Sequence, residues 1–239
     1  LEGLASADPS SVQADIALYA AHMSRRQYDK ALAVLANVEK KQPGAAVQEL
    51  RGNVMLAKRD YKAARTSYAK ALELEPARLS VARRLAGLDL LDNKPADAKA
   101  RYEKMVEVDP KSEALQMALA ETLALSGAPP ADVKAALDKA AAANPNSRQA
   151  RLALVAHLRG TGDTRGALEA AKVAAAAMPK DVQVLETLGA LQLANGETAQ
   201  ARTTFAQVAE LQPGNPAATL RVAATHVAEK DFAGAIELQ

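Results

Sequence analysis

Seven prolines recur along this 239-residue chain at a nearly constant interval. Successive members of the series lie 34, 33, 34, 35, 34 and 34 residues apart. The series is Pro9, Pro43, Pro76, Pro110, Pro145, Pro179 and Pro213. Similar short segments of apolar and acidic residues precede these prolines, as in 71–76 and 208–213. Because proline cannot continue an α-helix, each member of the series is predicted to mark the end of an amphipathic helix.

A second set of helix breaks lies about halfway between the prolines. These breaks are Arg26-Gln27, Arg59-Asp60, Asn93-Lys94-Pro95, Ser126-Gly127, Gly160 to Asp163, Asn195-Gly196 and Lys230-Asp231. Each repeat is therefore predicted to be two helices joined by a tight turn. Pro95, Pro129 and Pro130 fit the first turn of a helix, where a missing N–H costs nothing. The additional residue of the 35-residue interval is expected in the turn at Pro129 and Pro130.

Composition excludes several classes of protein. Ala, Leu, Glu, Lys, Gln and Arg dominate, which favours helix, and only 3% of the residues are aromatic, which favours thin layers over one deep core. The chain has no Cys, so it has no disulfide, thiolate zinc site or Cys nucleophile. The apolar run 173–178 is far shorter than the roughly 20 residues of a membrane-spanning helix. Because the basic pairs are scattered and the net charge is only +2, no nucleic-acid partner is predicted.

Counted so that each proline lies at position 32, the repeats resemble the tetratricopeptide repeat (TPR) family. Small residues occupy position 20, where the two helices of a repeat cross: Ala31, Ala64, Ala98, Val133, Ala167, Ala201 and Ala235. Position 8 is Tyr19, Gly52, Ala86, Ala120, Val155, Gly189 and Ala223. Position 24 is Leu35, Tyr68, Tyr102, Leu137, Ala171 and Phe205. The chain departs from the family at position 4, where the usual aromatic residue is absent throughout: Asp15, Gln48, Ala82, Gln116, Arg151, Leu185 and Thr219.

The resemblance covers the whole chain and implies an all-α fold, a right-handed α-solenoid of antiparallel helix pairs. The predicted array has the end of a truncated repeat at 1–11, six full repeats at 12–44, 45–78, 79–112, 113–147, 148–181 and 182–215, and a partial repeat at 216–239. Because an uncapped stack leaves apolar faces uncovered, the chain is expected to be part of a longer array or to self-associate end to end. Phe232 and Ile236 are the apolar residues predicted at that uncovered face.

Candidate residues for catalysis or for binding a metal or cofactor are few. His22, His157 and His226 belong to three different repeats and are interpreted as helix-packing residues, because helices 8–10 Å apart keep them from sharing a metal. The segment 160–166 resembles a phosphate-binding loop, but the Lys-Ser/Thr pair and the preceding strand are missing. No cofactor, metal site or enzymatic activity is predicted.

In the TPR family, the first helices of the repeats line a concave wall that holds a peptide or a helix of a partner. The residues predicted to bind a partner on this wall are Ile16, Met23, Glu49, Asn53, Leu56, Arg83, Leu90, Met117, Glu121, Arg159 and Glu186. These wall residues are mainly apolar, and their charges alternate in sign along the chain, which suits an amphipathic partner. The alternative interpretation is that they pack only against one another. A family clamp for C-terminal carboxylates is not predicted, because Glu49 stands where such a clamp requires Lys.

The predicted function is a non-enzymatic protein-binding scaffold. Two alternatives remain open at this stage: a substrate-recruiting arm of an enzyme whose catalytic domain lies outside this chain, and an end-to-end oligomerisation module. The Ala- and Leu-rich repeats are also similar to the TPR lipoproteins of bacterial exopolysaccharide export and PEP-CTERM protein sorting. That similarity implies a periplasmic or outer-membrane-anchored location, while a cytoplasmic one stays open.

Overall fold

The structure, a computed structural model, describes residues 12–236. These residues form fourteen helices and contain no strand. In chain order the helices are α1 (Val12–Ser24), α2 (Tyr28–Lys41), α3 (Ala45–Ala57), α4 (Tyr61–Leu74), α5 (Leu79–Leu91), α6 (Pro95–Val108), α7 (Glu113–Leu125), α8 (Pro130–Ala143), α9 (Arg148–Gly160), α10 (Thr164–Ala177), α11 (Val182–Ala194), α12 (Thr198–Leu211), α13 (Pro216–Ala228) and α14 (Phe232–Ile236). We call the odd-numbered helices A helices and the even-numbered ones B helices.

The prolines end the B helices as predicted. Each B helix from α2 to α12 ends two residues before a member of the proline series, as Lys41 does before Pro43. Pro95 and Pro130 are the first residues of α6 and α8, where a missing N–H removes no helical hydrogen bond. The additional residue lies between α7 and α8, whose connection has four residues where the other A-to-B turns have three.

Contacts divide the chain into two compact units, which meet in sequence between Val108 and Asp109. In the first unit, consecutive helices from α1 to α6 pack against one another, and the same holds in the second unit from α7 to α14. The predicted all-helical class and its helix-pair packing are confirmed. The right-handed course of a whole superhelix stays a prediction. The predicted repeat end at 1–11 and the last residues, 237–239, lie outside the described part of the chain.

The close contact between A and B helices depends on small residues. Ala31, Ala64 and Ala98 at position 20 are fully buried. At position 8 of the second repeat, a Cβ atom on Gly52 would lie only 2.5 Å from Cδ1 of Tyr68. Gly189 and Phe205 repeat this arrangement, with a distance of 2.6 Å to Cε1 of the ring. At these two positions, glycine leaves the space that an aromatic ring of the B helix occupies over the A helix backbone.

Every A helix ends in a left-handed residue at position 15. That residue is glycine at Gly127, Gly162 and Gly196, with φ between +69° and +83°. It is not glycine in the other turns, where Arg26, Arg59, Asn93 and Lys230 have φ between +56° and +63°. The next N–H bonds back to the carbonyl five residues earlier, as from Gln27 to His22 and from Asp163 to Leu158. This is the capping geometry that ends many helices.

Polar side chains at position 4 fill the place of the missing aromatic residues. Asp15 and Gln48 are buried. Asp15 accepts a hydrogen bond of 2.6 Å from Nζ of Lys41, and Gln48 donates one of 2.8 Å to Oε1 of Glu39. Arg51 donates to the other oxygen of Glu39 at 2.7 Å, and this hydrogen bond lowers the pKa of that carboxyl. Hydrogen bonds thus supplement apolar contact both within a helix pair, at Asp15 and Lys41, and between successive pairs, at Gln48 and Glu39.

Candidate partner-binding surface

The apolar wall residues of the first unit lie at the margin of its core. Ile16 and Met23 on α1 are half-buried and pack against the cluster that contains Tyr19. Leu56 on α3 packs against the cluster around Tyr68. Leu90 on α5 is also half-buried. Part of each side chain therefore supports the helix packing, and the remainder is accessible to a partner.

Asn53 is held by a buried tyrosine. The hydroxyl of Tyr68, which is fully buried on α4, donates a hydrogen bond of 2.7 Å to Oδ1 of Asn53. Burial raises the pKa of Tyr68 to about 12, with a smaller raising contribution from Glu49 and an opposing one from Arg84. Because Oδ1 is engaged, the N–H groups of Asn53 are the ones left to bind a partner.

Glu49 is already paired within the unit. Its carboxylate accepts a hydrogen bond of 2.6 Å from Nε of Arg78, the residue that precedes α5. Arg78 also donates to Glu75, and these two hydrogen bonds, that of Glu49 first, raise the pKa of Arg78. Sequence reasoning missed Arg78, because it lies outside the helical positions of the wall and meets Glu49 only in the folded chain.

Exposed wall positions of the first unit lie on α5. Arg83 and its neighbour Arg84 are exposed, and Leu91 is 60% exposed. Gly87 lies between Arg83 and Leu91 on the same helix face, and a Cβ atom there would have no neighbour within 4 Å. This stretch of α5 therefore offers a cation and an apolar side chain with open space between them.

The four wall residues of the second unit divide in the same way. Met117 on α7 is half-buried and packs against the core of its unit. Glu121 on α7 and Arg159 on α9 are exposed. Glu186 on α11 is paired with Nε of Arg221 at 3.1 Å. Some of the alternating charges predicted from the sequence therefore form ion pairs inside their own unit, which leaves fewer of them for a partner.

A cavity of about 490 Å³ lies away from the wall residues of the second unit. It lies between α8, α9 and α10, and its lining includes Leu154, Leu158 and Val173. Small side chains such as Ala141 and Ala170 leave this space open. None of the predicted wall residues lines it.

The histidines and the glycine-rich turn have structural partners. His22 is buried and bonded to Oε1 of Gln27 at 2.8 Å, while His226 is bonded to Asp231 at the same distance. In the turn at Gly162, the carboxylate of Asp163 accepts a hydrogen bond of 2.8 Å from the N–H of Gly166 and caps α10.

Within residues 12–236, no group of three or more His, Asp or Glu side chains converges in a way that could hold a metal ion. Among the helices of the same stretch, none combines the length and hydropathy that crossing a bilayer requires.

Comparison with protein families returns two related matches. The family model described as the tetratricopeptide repeat-like domain matches residues 5–90. The model described as the tetratricopeptide repeat matches residues 85–148 and 186–239. These models carry no sign of the narrower exopolysaccharide or PEP-CTERM lipoprotein group. Among curated proteins, none matches the chain.

Solved structures share the fold at low sequence identity. The C-terminal part of a TPR protein from Cytophaga hutchinsonii is 15% identical, with a TM-score of 0.61 over 85% of this chain and 84% of that one. PilF of Pseudomonas aeruginosa is 18% identical, with a TM-score of 0.53 over 90% of this chain and 96% of that one. YrrB, a TPR protein with an unusual peptide-binding site, is 20% identical, with a TM-score of 0.51 over 72% of this chain and 88% of that one. At these identities, the similarity extends to the fold alone.

Proposed function

We propose that this chain, which belongs to the tetratricopeptide repeat family, is a non-enzymatic scaffold that binds a peptide or helix of a partner protein on the wall of its A helices. Members of the family bind proteins or peptides. The observation that carries the proposal is the pairing of an exposed charge with an exposed leucine on one helix face. Arg83 lies with Leu91 on α5, and Glu121 lies with Leu125, which is 69% exposed, on α7.

Each unit presents its own part of this surface. In the first unit, Arg83 can bind a partner carboxylate, Asn53 can donate to a peptide carbonyl, and Leu90 with Leu91 can hold an apolar side chain. In the second unit, Glu121 and Arg159 supply the charges that no group of the described chain neutralises. In each unit, an amphipathic partner segment with spaced charges satisfies that unit's set, because apolar contact supplies affinity and the charges select the register.

Peptide selection against the intact chain tests this proposal. Peptides enriched from a random library are expected to bind the parent chain and to bind about tenfold more weakly after Asn53→Ala combined with Arg83→Glu. Lys104→Glu is the matched control, because Lys104 is an exposed cation of the same unit but lies on a B helix, α6. Fluorescence anisotropy measures both affinities. An equal loss of peptide affinity in the control variant, or an unchanged affinity in the wall variant, would contradict the proposal.

The narrower role proposed from the sequence is participation in exopolysaccharide export or surface protein sorting, with a periplasmic or outer-membrane location. Its support is the resemblance of the Ala- and Leu-rich repeats to that group. Cell fractionation and an assay of secreted polysaccharide in a deletion strain test it. Unchanged polysaccharide together with a cytoplasmic protein would contradict it.

Self-association is a second candidate function, favoured by exposed apolar side chains in α13 and α14. Leu220 is 67% exposed and Phe232 is 61% exposed. A cavity of about 430 Å³ is lined by Leu220 together with Ala223 and Ala235. The side chain of Ile236, predicted to belong to this surface, lies outside the described part. Light scattering is expected to give a larger mass for the parent than for Phe232→Glu, and a monomeric parent at high concentration would contradict this function.

A further inference from the structure

The three A-to-B turns of the first unit form one continuous edge. We call residues 25–29, 58–62 and 92–96 the turn edge. Nζ of Lys58 in the second turn lies 2.9 Å from Oδ1 of Asp29 in the first. Nη2 of Arg65 on α4 lies 2.7 Å from Oδ2 of Asp92 in the third. Side chains 27 and 29 residues apart in the sequence therefore become neighbours along this edge.

The turn edge holds cations that have no carboxylate partner. Within the turn edge, the exposed cations that form no ion pair with any described residue are Arg25, Arg26, Arg59, Lys62 and Lys94. The three carboxylates of the edge are already engaged: Asp29 with Lys58, Asp92 with Arg65, and Asp60 with the N–H of Ala63. Basic residues of three separate turns are thus gathered by the fold along one edge.

The equivalent turns of the second unit have the opposite balance. Their cations are Arg165 and Lys230. Their carboxylates are Asp163, Glu197, Glu229 and Asp231. A basic edge is therefore not a general consequence of the repeat, because the same turn geometry accommodates an acidic one.

Two of the arginines occupy backbone positions that favour glycine. Arg26 and Arg59 have φ of +56° and +61°, a region in which an L side chain is strained. Three turns of the second unit place glycine at the same position and avoid this strain. Strained residues persist where something other than local stability retains them. Compared with glycine, arginine at these two positions adds a positive charge to the first unit.

We propose that the turn edge binds an extended acidic segment of a partner protein, separately from the wall of the A helices. Helices pack about 8–10 Å apart, so neighbouring turns present their cations at intervals of that order. An extended peptide advances about 3.3 Å per residue, so a carboxylate at roughly every third residue matches this spacing. Arginine binds carboxylates through two parallel N–H groups. Tyr61, 38% exposed at the same edge, adds contact area of the kind enriched at protein interfaces.

A protein segment fits this edge better than a uniformly charged polyanion. Asp29, Asp60 and Asp92 are interspersed among the cations. A lipid surface or nucleic acid would bring phosphates against these carboxylates as well as against the arginines. A peptide places its carboxylates one at a time and avoids them.

A labelled peptide of about five Glu-Ser-Gly units is the probe, because its glutamates recur at the expected spacing. Fluorescence anisotropy at low salt is expected to show binding by the full chain. Arg26→Gly combined with Arg59→Gly is expected to weaken this binding about tenfold. The same variant is expected to unfold at a higher temperature than the parent, because glycine relieves the strained turns. Loss of affinity in a more stable protein separates binding from folding.

The control variant is Lys70→Gln combined with Lys104→Gln, which removes two exposed cations from the B helices of the same unit. This variant is expected to bind the probe as the parent does. Equal weakening in the lysine variant, or a lower unfolding temperature for the glycine variant, would overturn the proposal. So would tighter binding to phosphatidylserine vesicles or to a single-stranded oligonucleotide than to the peptide.

Discussion

The contact between Gly52 and Tyr68 predicts that two identical substitutions in the first unit have opposite effects on stability. The first is Gly52→Ala, whose Cβ would lie 2.5 Å from Cδ1 and 2.9 Å from Cζ of the Tyr68 ring. The second is Gly87→Ala, whose Cβ would have no neighbour within 4 Å. Both glycines are inside A helices, α3 and α5. The two changes therefore share the same gain in helix propensity and differ only in packing.

The Tyr68 ring cannot easily move away from a new methyl group. It is fully buried, and its hydroxyl is bonded to Asn53 at 2.7 Å. Overpacking of this kind costs about 1–3 kcal/mol, while alanine gains about 0.5–1 kcal/mol over glycine inside a helix. We therefore expect Gly52→Ala to lower the free energy of unfolding by about 1–2 kcal/mol. Gly87→Ala is expected to raise it by about 0.5–1 kcal/mol.

Urea unfolding followed by circular dichroism measures both changes. A double variant, Gly52→Ala with Tyr68→Leu, identifies the cause, because repeat four already combines Ala120 with Leu137 at these positions. The two substitutions should be less harmful together than the sum of their single effects, by about 1 kcal/mol. The packing argument is wrong if Gly52→Ala is as stable as Gly87→Ala, or if the two effects in the double variant simply add.

Two further predictions concern buried polar groups of the first unit. Asp89→Ala should lower the free energy of unfolding by about 3 kcal/mol, because it leaves the guanidinium groups of Arg65 and Arg101 without their buried carboxylate. Asp92→Ala removes the more exposed partner of Arg65 and should lower the free energy of unfolding by less than about 1 kcal/mol. Urea unfolding measures both variants, and equal losses would contradict this prediction. Because burial raises the pKa of Tyr68 from 10.0 to about 12, its contribution to stability is complete below pH 10 and is lost as the pH rises towards 12. Between pH 10 and pH 12, the free energy of unfolding measured with urea should fall less steeply for Tyr68→Phe than for the parent. Parallel pH dependences for the two proteins would contradict the raised pKa of Tyr68.

The helix ends could be predicted from the sequence because proline acts locally. A residue without an N–H stops a helix whatever surrounds it, so Pro43 and Pro145 predicted the ends of α2 and α8. The left-handed turns could be predicted from the sequence only where glycine occupies them. Glycine at 127 indicates such a turn, whereas Arg26 and Arg59 give no local sign of it. Their conformation follows from the need to close the same cap in every repeat.

The candidate surface was less predictable, because its charges depend on contacts between distant residues. The alternating signs of Glu49, Arg83 and Glu121 were readable from the sequence. The pairing of Glu49 with Arg78, which lies 29 residues away, could not be predicted from the sequence. Glu186 is paired in the same manner with Arg221, whose guanidinium also lies 5.8 Å from the centre of the Phe205 ring. A pattern of charges therefore predicts a binding surface only after the pairs formed inside the fold have been subtracted.

The polar residues at position 4 connect the composition of the chain with its architecture. With only 3% aromatic residues, the repeats have few large rings with which to fill the space between successive helix pairs. Asp15 instead binds Lys41 on the B helix of its own repeat, and Gln48 binds Glu39 on the preceding B helix. A hydrogen bond has a narrower range of favourable distances and angles than apolar contact does. Such pairs therefore constrain the register of neighbouring helices, which is the property that a surface assembled from successive A helices requires.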